Sequence, residues 1–576
     1  MKKYKAEAPH ITIERIRAIL NDADIKVSEE CSADASDLFY SAHLRIISGN
    51  LSVMDISTNG KGKSRDFALA SAYGELMERL QSRILFGLRY SIPTDVSNLK
   101  YTFAPDEKRL IDQDFIHSLH TYTCLPHNVT SLYNEPYEIG LPFANIRDKS
   151  IAYLPMRVIE HCCGSNGMCA GNTRHEAILQ GICEIFERYA LRLIYHKALT
   201  PPIIHSSIPI SEALRDKIKH LESAEECKID IVDCSCGIGL PVYGLRIIRN
   251  KSSEYQFHLG ADMIAEVAVE RVLTELFQNS SRIPLHTFDI SYQLNLCSDL
   301  RLIENERVKY GFRCNHTPLC VFSDTPSYAP MEFSPERGQS DQTDLKIAFS
   351  IVYNLGKEIY IRDNSFMGFH AYTIYIPGMS ELINVESIRW MQTSFEKSVR
   401  IPYLAHSLPS ASFKGVEELV ESISAFNSPA YLDWFTSNDV WHKGAPRFVI
   451  GMIAASVANW NLALRHLGRL KAECANQQLK HLYSFYYDYC SIASSGGEPK
   501  QYLPAIYGES EYSELSKVME DSSWKDVFDF TDCFKCDKCM KKDACALQDY
   551  IHLLKTLESI HEKNIPDQTA LFGLFD

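Results

Sequence analysis

The chain has 576 residues, with 59 Lys and Arg against 73 Asp and Glu and a formal net charge of −14. At roughly 100–200 residues per domain it is a multi-domain chain or one large domain with an appendage, and 45% hydrophobic against 23% charged residues leaves ample material for a core. The acidic balance argues against general nucleic-acid binding and against an anionic membrane surface, both of which need basic surface.

In chain order, the opening MKKYKAEAPHITIERIRAIL carries lysines without a long apolar run behind them, so no signal peptide is expected. Ile11 to Leu20 reads as a helix, followed by a polar link. Between residues 45 and 400, β-branched runs alternate with amphipathic helices: HLRIISG, LSVMDIS, IDIVDCS, LPVYGLRII, KEIYIRD and AYTIYIP are all strand-like. From residue 405 on the β signals disappear. GMIAASVANWNLALRHLGRLKAEC, LKHLYSFYYDYCSIA and the stretch from Cys545 to His561 show helical periodicity, and small residues at Gly451, Ala455 and Ala463 suggest a tetratricopeptide-like hairpin. No stretch approaches about 18 apolar residues, so no membrane-spanning helix is expected. The 18 cysteines have no regular spacing along the chain, and most are expected to be reduced thiols of a cytoplasmic protein.

The most informative feature is an internal echo, A-x6-E-[LI]-[MF]-[EQ], in three helical segments: Ala68 to Glu78, Ala177 to Glu187 and Ala268 to Gln278. The first two follow G-x-[ST]-R, at Gly62 to Arg65 and Gly171 to Arg174. Helical geometry puts Glu176, Gln180, Glu184 and Glu187 on one stripe, Ser71, Glu75 and Glu78 on another, and Arg271, Glu275 and Gln278 on a third. Solvated helix faces commonly mix Glu with Lys at i+4, and these stripes carry no lysine. Converging carboxylates repel one another unless cations sit among them. Mg²⁺, held by carboxylate oxygens and shared with substrate phosphates, is the hard-cation solution, and neighbouring arginines suit phosphate oxygens. A stripe of roughly 16 Å, at 1.5 Å per residue, exceeds one ion and suits a nucleotide with more than one metal. Asn59-Gly60-Lys61-Gly62-Lys63-Ser64 ends like a P-loop but has Ser57 where the motif needs glycine, so it reads as a glycine turn into the first glutamate helix.

These segments carry a family resemblance. NGKGKSRDFALASAYGELMER, SNGMCAGNTRHEAILQGICEIFERY and VAVERVLTELFQ, with Gly378-Met379-Ser380 after a proline, resemble the signature segments of YcaO-domain proteins over residues 1–400 and more loosely beyond. The resemblance implies an α+β, YcaO-type ATP-binding fold over 1–400, an all-α, tetratricopeptide-like domain over 405–576, and a homodimer. It also implies phosphorylation of a peptide amide oxygen, after which a Cys, Ser or Thr side chain gives an azoline and sulfide gives a thioamide. Carried over by position, Glu75, Glu78, Glu184 and Glu187 would hold Mg²⁺ with Glu176 and Glu275 contributing. Asn172, Gln180, Arg188 and Arg271 would contact ATP, Arg79 would support the first helix, and Lys5 and Thr12 match an N-terminal nucleotide-contacting stretch.

Many cyclodehydratases of that family end in a P-x-P-x-P tail, whereas this chain ends ALFGLFD with its last proline at Pro566. That favours the branch linked to β-methylthiolation of a small-subunit ribosomal protein, with a peptide or protein substrate; a methylthiotransferase partner would fit that branch, and a TfuA-like partner would point to a different product. Maturation of a ribosomally made peptide and a non-catalytic, nucleotide-stabilised scaffold are the alternatives. Cys533, Cys536, Cys539 and Cys545 fall within thirteen residues and suggest a four-thiolate site for an iron–sulfur cluster or zinc. Cys162, Cys163 and Cys169 adjoin the second signature and are candidate substrate-side thiols.

Overall fold

The structure, a computed structural model, describes residues 5–83, 104–123, 138–287, 319–382, 445–520 and 546–574, with short interruptions at 35–36, 50, 52–55, 250, 252, 279–281, 335, 457 and 474–476. Three antiparallel sheets organise the first 382 residues. One holds β1 (Val27–Ala33), β2 (Tyr40–Ile46) and β3 (Ser57–Gly62) in that order. The second runs β4 (Lys108–Leu110), β5 (Glu138–Asn145), β12 (Tyr360–Asp363), β13 (His370–Tyr375) and β7 (Met168–Gly171), with β6 (Ser150–Pro155) also on β5. The third runs β11 (His286–Thr287), β10 (Glu254–Ala261), β9 (Val242–Arg249) and β8 (Lys228–Asp233).

The three glutamate-bearing segments are helices, each packed by its apolar side against the sheets. The first, Arg65–Ser82, buries Ala68, Ala72, Leu76, Met77 and Leu80 in a cluster with Leu44, Ile46 and Ile16. The second, Arg174–His196, shares a core with both larger sheets, where Ile178, Ile182, Ile185 and Phe186 join Ile374, Phe257 and Leu259. In the third, Ala265–Leu276, Val269, Val272 and Leu273 join Tyr243 and Leu245. At 1.5–3 kcal/mol for each fully buried large aliphatic side chain, these faces fix each helix's rotation, and with it the direction of the glutamate stripe.

The strand-like runs near residues 43, 229, 240, 357 and 371 form β2, β8, β9, β12 and β13. Two readings are corrected. The polar link after the first helix contains β1, an edge strand most of whose residues stay open to solvent. The glycine turn is strand β3, paired with β2 through Lys61 opposite Ser41 and Asn59 opposite His43. Its glycines are there for close packing: a Cβ on Gly60 would overlap the carbonyl oxygen of Ala68, and one on Gly62 would lie 2.5 Å from the Ala68 nitrogen.

The boundary expected between residues 400 and 405 lies outside the described residues. Beyond it, Ala445–Ser456, Trp460–Glu473 and Gln477–Ser494 pack successively around Phe448, Met452, Leu467, Phe485 and Tyr486. Small residues admit this packing, since a Cβ on Gly451 would come within 2.7 Å of Leu467. The end of the chain does not stay with these helices. Helix Ala546–Lys563 places Tyr550, Leu553, Leu554 and Leu557 in the core of the first glutamate helix. The turn Gln568–Leu574 places Leu571 and Leu574 in that of the second. The cores beneath the first two glutamate helices therefore include the last described segment of the chain. Among the described residues no helix is long and apolar enough to cross a membrane.

Candidate functional site

The repeated G-x-[ST]-R pattern has a local structural meaning. Gly62 and Gly171 close strands β3 and β7, Ser64 and Thr173 are helix N-caps, and the arginines begin the helices. Ser64 Oγ accepts from the Phe67 N–H at 3.3 Å and Thr173 Oγ1 from the Glu176 N–H at 3.2 Å, each satisfying an otherwise unpaired first-turn donor. Both glutamate helices are thus launched from strand ends, and with the third they enclose one cavity of about 400 Å³. That volume lies in the range of small-molecule sites. Lys5, Thr12, Glu75, Glu78, Arg79, Asn172, Glu176, Gln180, Glu184, Glu187, Arg188, Arg271 and Glu275 all line it. Thirteen residues spread from position 5 to position 275 are brought to one space.

The N-terminal stretch is tied to the second helix. Lys5 Nζ donates to Gln180 Oε1 at 2.8 Å, the Ala6 N–H to Glu176 Oε2 at 2.9 Å, and Thr12 Oγ1 to Asn172 Oδ1 at 2.8 Å. Deeper in, Arg79 bridges Glu75 at 3.0 Å and Glu78 at 2.7 Å, and Arg188 pairs with Glu184 at 3.0 Å. The stripes therefore do carry their own i+4 cations, as arginine rather than lysine. Glu187 accepts from the Ala261 N–H at 3.2 Å, which ties the second helix to the end of β10, while Lys61 of β3 pairs with Glu275 of the third helix.

Eight carboxylates line the cavity against seven Lys or Arg side chains. Charge is nearly balanced overall, yet two glutamates remain short of it. Burial pushes the Glu78 carboxyl up to about 8; Arg79 opposes the shift, and Glu184 and Glu75 add to it. Burial likewise raises Glu187, against the pull of Arg271, Lys61 and Arg188. A buried carboxylate that ionises reluctantly is a position where an added cation is stabilising. The donor set, oxygen without thiol or imidazole among the lining residues, suits Mg²⁺. The residues present fit that ion. Among the described residues, however, no three ligating side chains are already gathered as a closed site; Arg79 pairs with Glu75 and Glu78, Arg188 with Glu184 and Lys61 with Glu275.

Several lining residues were not anticipated. Lys61 and Lys63 fall in the segment whose glycines suggest a turn, so the sequence pattern does not single them out. Glu270 and Lys217 lie on helix faces without an echo elsewhere. Phe369 comes from the turn between β12 and β13 and lies under the Arg15 guanidinium, 5.3 Å from the ring centroid. Cys162, Cys163 and Cys169 are fully buried, and burial pushes each thiol well above its ordinary range. They are packing residues rather than available nucleophiles. Cys533, Cys536, Cys539 and Cys545 lie outside the described residues.

Residues 59–380 match the family model described as YcaO cyclodehydratase, ATP- and Mg²⁺-binding. The chain belongs to the YcaO family. It is 26% identical over 487 residues to the ribosomal protein S12 methylthiotransferase accessory factor YcaO of Escherichia coli (strain K12), covering 81% of this chain and 78% of that protein. It is 28% identical over 356 residues to an uncharacterized protein of Haemophilus influenzae, with 58% of each covered. A structure of YcaO from Methanopyrus kandleri bound with AMPPCP and Mg²⁺ is similar at a TM-score of 0.42 and 17% identity, covering 65% of this chain and 92% of that one. In this YcaO-family chain the family match begins at Asn59 on β3 and ends at Ser380. It therefore takes in the three glutamate helices but not Lys5 or Thr12.

Proposed function

We propose that this chain is a Mg²⁺–ATP-dependent enzyme that activates a backbone amide of a peptide or protein by phosphorylating its carbonyl oxygen. The observation that carries the reading is the convergence of the thirteen residues on one cavity of nucleotide size. Glu75, Glu78, Glu184 and Glu187, with Glu176 and Glu275, hold Mg²⁺. Asn172, Gln180, Arg188, Arg271, Lys5 and Thr12 bind ATP, and Arg79 fixes Glu75 and Glu78. Mg²⁺ supplies neutralisation of the charge on the transferred phosphoryl group. The chain's own part is positioning: the arginines direct phosphate oxygens, and the apolar helix faces keep the glutamate stripes in register. The amide oxygen takes the phosphoryl group from ATP and becomes a leaving group. A sulfur nucleophile adding to the carbonyl carbon then expels phosphate. No nucleophile from the protein is required.

The biological setting we assign is an accessory role in protein thio-modification, that of β-methylthiolation of a small-subunit ribosomal protein, supported by similarity to the Escherichia coli accessory factor along most of both chains. The helices between residues 445 and 520 serve as the tetratricopeptide-like surface for a partner such as a methylthiotransferase. ATP turnover by the full chain is expected to rise at least several-fold on adding a ribosomal-protein fraction, read as release of ADP and phosphate. Unstimulated binding without turnover across all protein fractions would favour a scaffold. The four C-terminal cysteines are proposed to hold an iron–sulfur cluster or zinc. Anaerobically purified chain is then expected to contain iron or zinc that is lost from a Cys536→Ser, Cys539→Ser double variant. Elemental analysis finding neither metal would reduce them to ordinary thiols.

A further inference from the structure

Strand β3 places a lysine where the glutamate cavity needs a cation. Gly60 and Gly62 face the first glutamate helix, where a side chain would collide with the Ala68 backbone. A strand alternates its faces, so Lys61 between them points the other way, into the cavity with Asn59. There its ammonium pairs with Glu275 of the third helix, in the space that Glu187 of the second also lines. It therefore ties a strand to a carboxylate assigned above to Mg²⁺, in the cavity that the other glutamate helices also line.

Arg79, Arg188 and Lys63 are placed differently. Arg79 and Arg188 pair with glutamates of their own helices at i+4 and move with them. Lys63 pairs with Glu270 at 3.2 Å and is 38% exposed, at the rim. Lys61 reaches across from a strand, on a flexible stem with a compact charge that can change partners. An ammonium and a dication cannot both sit close to one carboxylate without repelling each other. An arriving metal therefore displaces the lysine, and a triphosphate offers the displaced ammonium new acceptors.

We propose that Lys61 is a tethered counter-ion: it neutralises Glu275 in the ligand-free protein, yields that carboxylate to Mg²⁺, and then pairs with the terminal phosphate oxygens of the nucleotide. This rests on the Mg²⁺–ATP reading of the same cavity. One residue would thus guard the fold against unbalanced carboxylates and couple metal binding to nucleotide binding.

The test titrates the full chain with Mn²⁺ alone and, separately, with a non-hydrolysable ATP analogue in excess Mg²⁺. Lys61→Met removes the competing cation, so Mn²⁺ without nucleotide is expected to bind roughly tenfold more tightly, and the analogue in Mg²⁺ roughly tenfold more weakly, about the worth of one charge-assisted hydrogen bond. Lys61→Arg keeps the charge and is expected to restore wild-type Mn²⁺ affinity. Unchanged or weaker Mn²⁺ binding in Lys61→Met overturns the proposal. Glu275→Gln releases the same ammonium without touching β3 and covers the case in which Lys61→Met fails to fold. It is expected to bind the metal-free analogue several-fold more tightly than wild type, and unchanged or weaker binding there overturns the exchange as well. A wild type that binds neither Mn²⁺ nor the analogue contradicts the Mg²⁺–ATP reading itself, an outcome distinct from failure of the lysine exchange.

Discussion

Glu187→Gln is expected to weaken Mg²⁺–ATP binding by about 100-fold while leaving the melting temperature of the ligand-free chain unchanged or higher. Burial and the neighbouring Glu184 both make the Glu187 carboxylate costly in the absence of ligand. Replacing it with an isosteric neutral amide removes that cost and cannot weaken packing, because the helix is held by Ile178, Ile182, Ile185 and Phe186 on its other side. What the amide cannot do is neutralise Mg²⁺. Loss of one charge-assisted contact of roughly 2–3 kcal/mol corresponds to a 30- to 150-fold change in affinity. Glu75→Gln is expected to act in the same direction and to free Arg79 from one of its two partners. Calorimetry finding unchanged affinity in both variants would mean that the carboxylates serve the fold alone.

The second large effect concerns the C-terminal helix. His561 stacks on Phe366, with centroids 4.4 Å apart and planes 8° apart, and among the described residues neither ring nitrogen has a hydrogen-bond partner. Burial pushes it down to about 4; Asp106 and Glu107 oppose the shift, and Arg362 and Arg83 add to it. Glu558 of the same helix faces Arg83 at 3.6 Å. A histidine with a depressed native pKa is neutral in both states above pH 6.5. As pH falls toward 4 the unfolded chain takes up the proton and the native one does not, so stability is lost across that window. The shift is worth on the order of 3 kcal/mol in full, and about 2 kcal/mol by pH 5. Phe366 belongs to the turn that carries Phe369 to the cavity, and that turn is bound to the first glutamate helix by Gln81, whose amide donates to the Phe369 carbonyl at 3.0 Å and accepts from the Met367 N–H at 2.9 Å. Hydrogen exchange at pH 5 is therefore expected to accelerate in helix 546–563 and in the 364–369 turn together. His561→Phe, which keeps the stack and cannot titrate, is expected to be largely protected from that acceleration. Equal acceleration in the variant would assign the acid sensitivity to the carboxylates instead.

The same packing alters what a truncation would report. Removing everything after residue 405 takes Tyr550, Leu557, Leu571 and Leu574 out of the cores beneath the first two glutamate helices. Several kcal/mol per buried leucine makes that deletion a folding lesion rather than a test of substrate recognition. Such a test has to spare residues 546–574.

What could be read from the sequence was what helical periodicity encodes. Glu176, Gln180, Glu184 and Glu187 share a face because 3.6 residues make a turn, whatever the rest of the chain does. The repeat in three segments supplied the idea that the faces meet. Long-range packing was not legible. Helix 546–563 shows an apolar face in sequence, but nothing local says that the face belongs on the first glutamate helix rather than on its neighbours between residues 445 and 520. Strand β3 was hidden because Ser57-Thr58-Asn59-Gly60-Lys61-Gly62 has little strand propensity. Its glycines are selected by the closeness of a helix, a property of tertiary structure. β1 was missed because an edge strand with most residues in solvent carries no hydrophobic alternation. Phe369 reaches the cavity from a turn, where no periodicity exists to signal a role.

The oxygen in the released phosphate distinguishes amide activation from simple ATP hydrolysis most directly. The full chain, Mg²⁺ and ATP are incubated in H₂¹⁸O with the protein fraction that stimulates turnover, and the same mixture with Glu187→Gln is subtracted. If the amide oxygen attacks ATP and departs with the phosphoryl group, the stimulated phosphate carries no solvent ¹⁸O. One ¹⁸O atom in each phosphate would mean that water is the acceptor, and the chain would then be an ATPase that activates no amide.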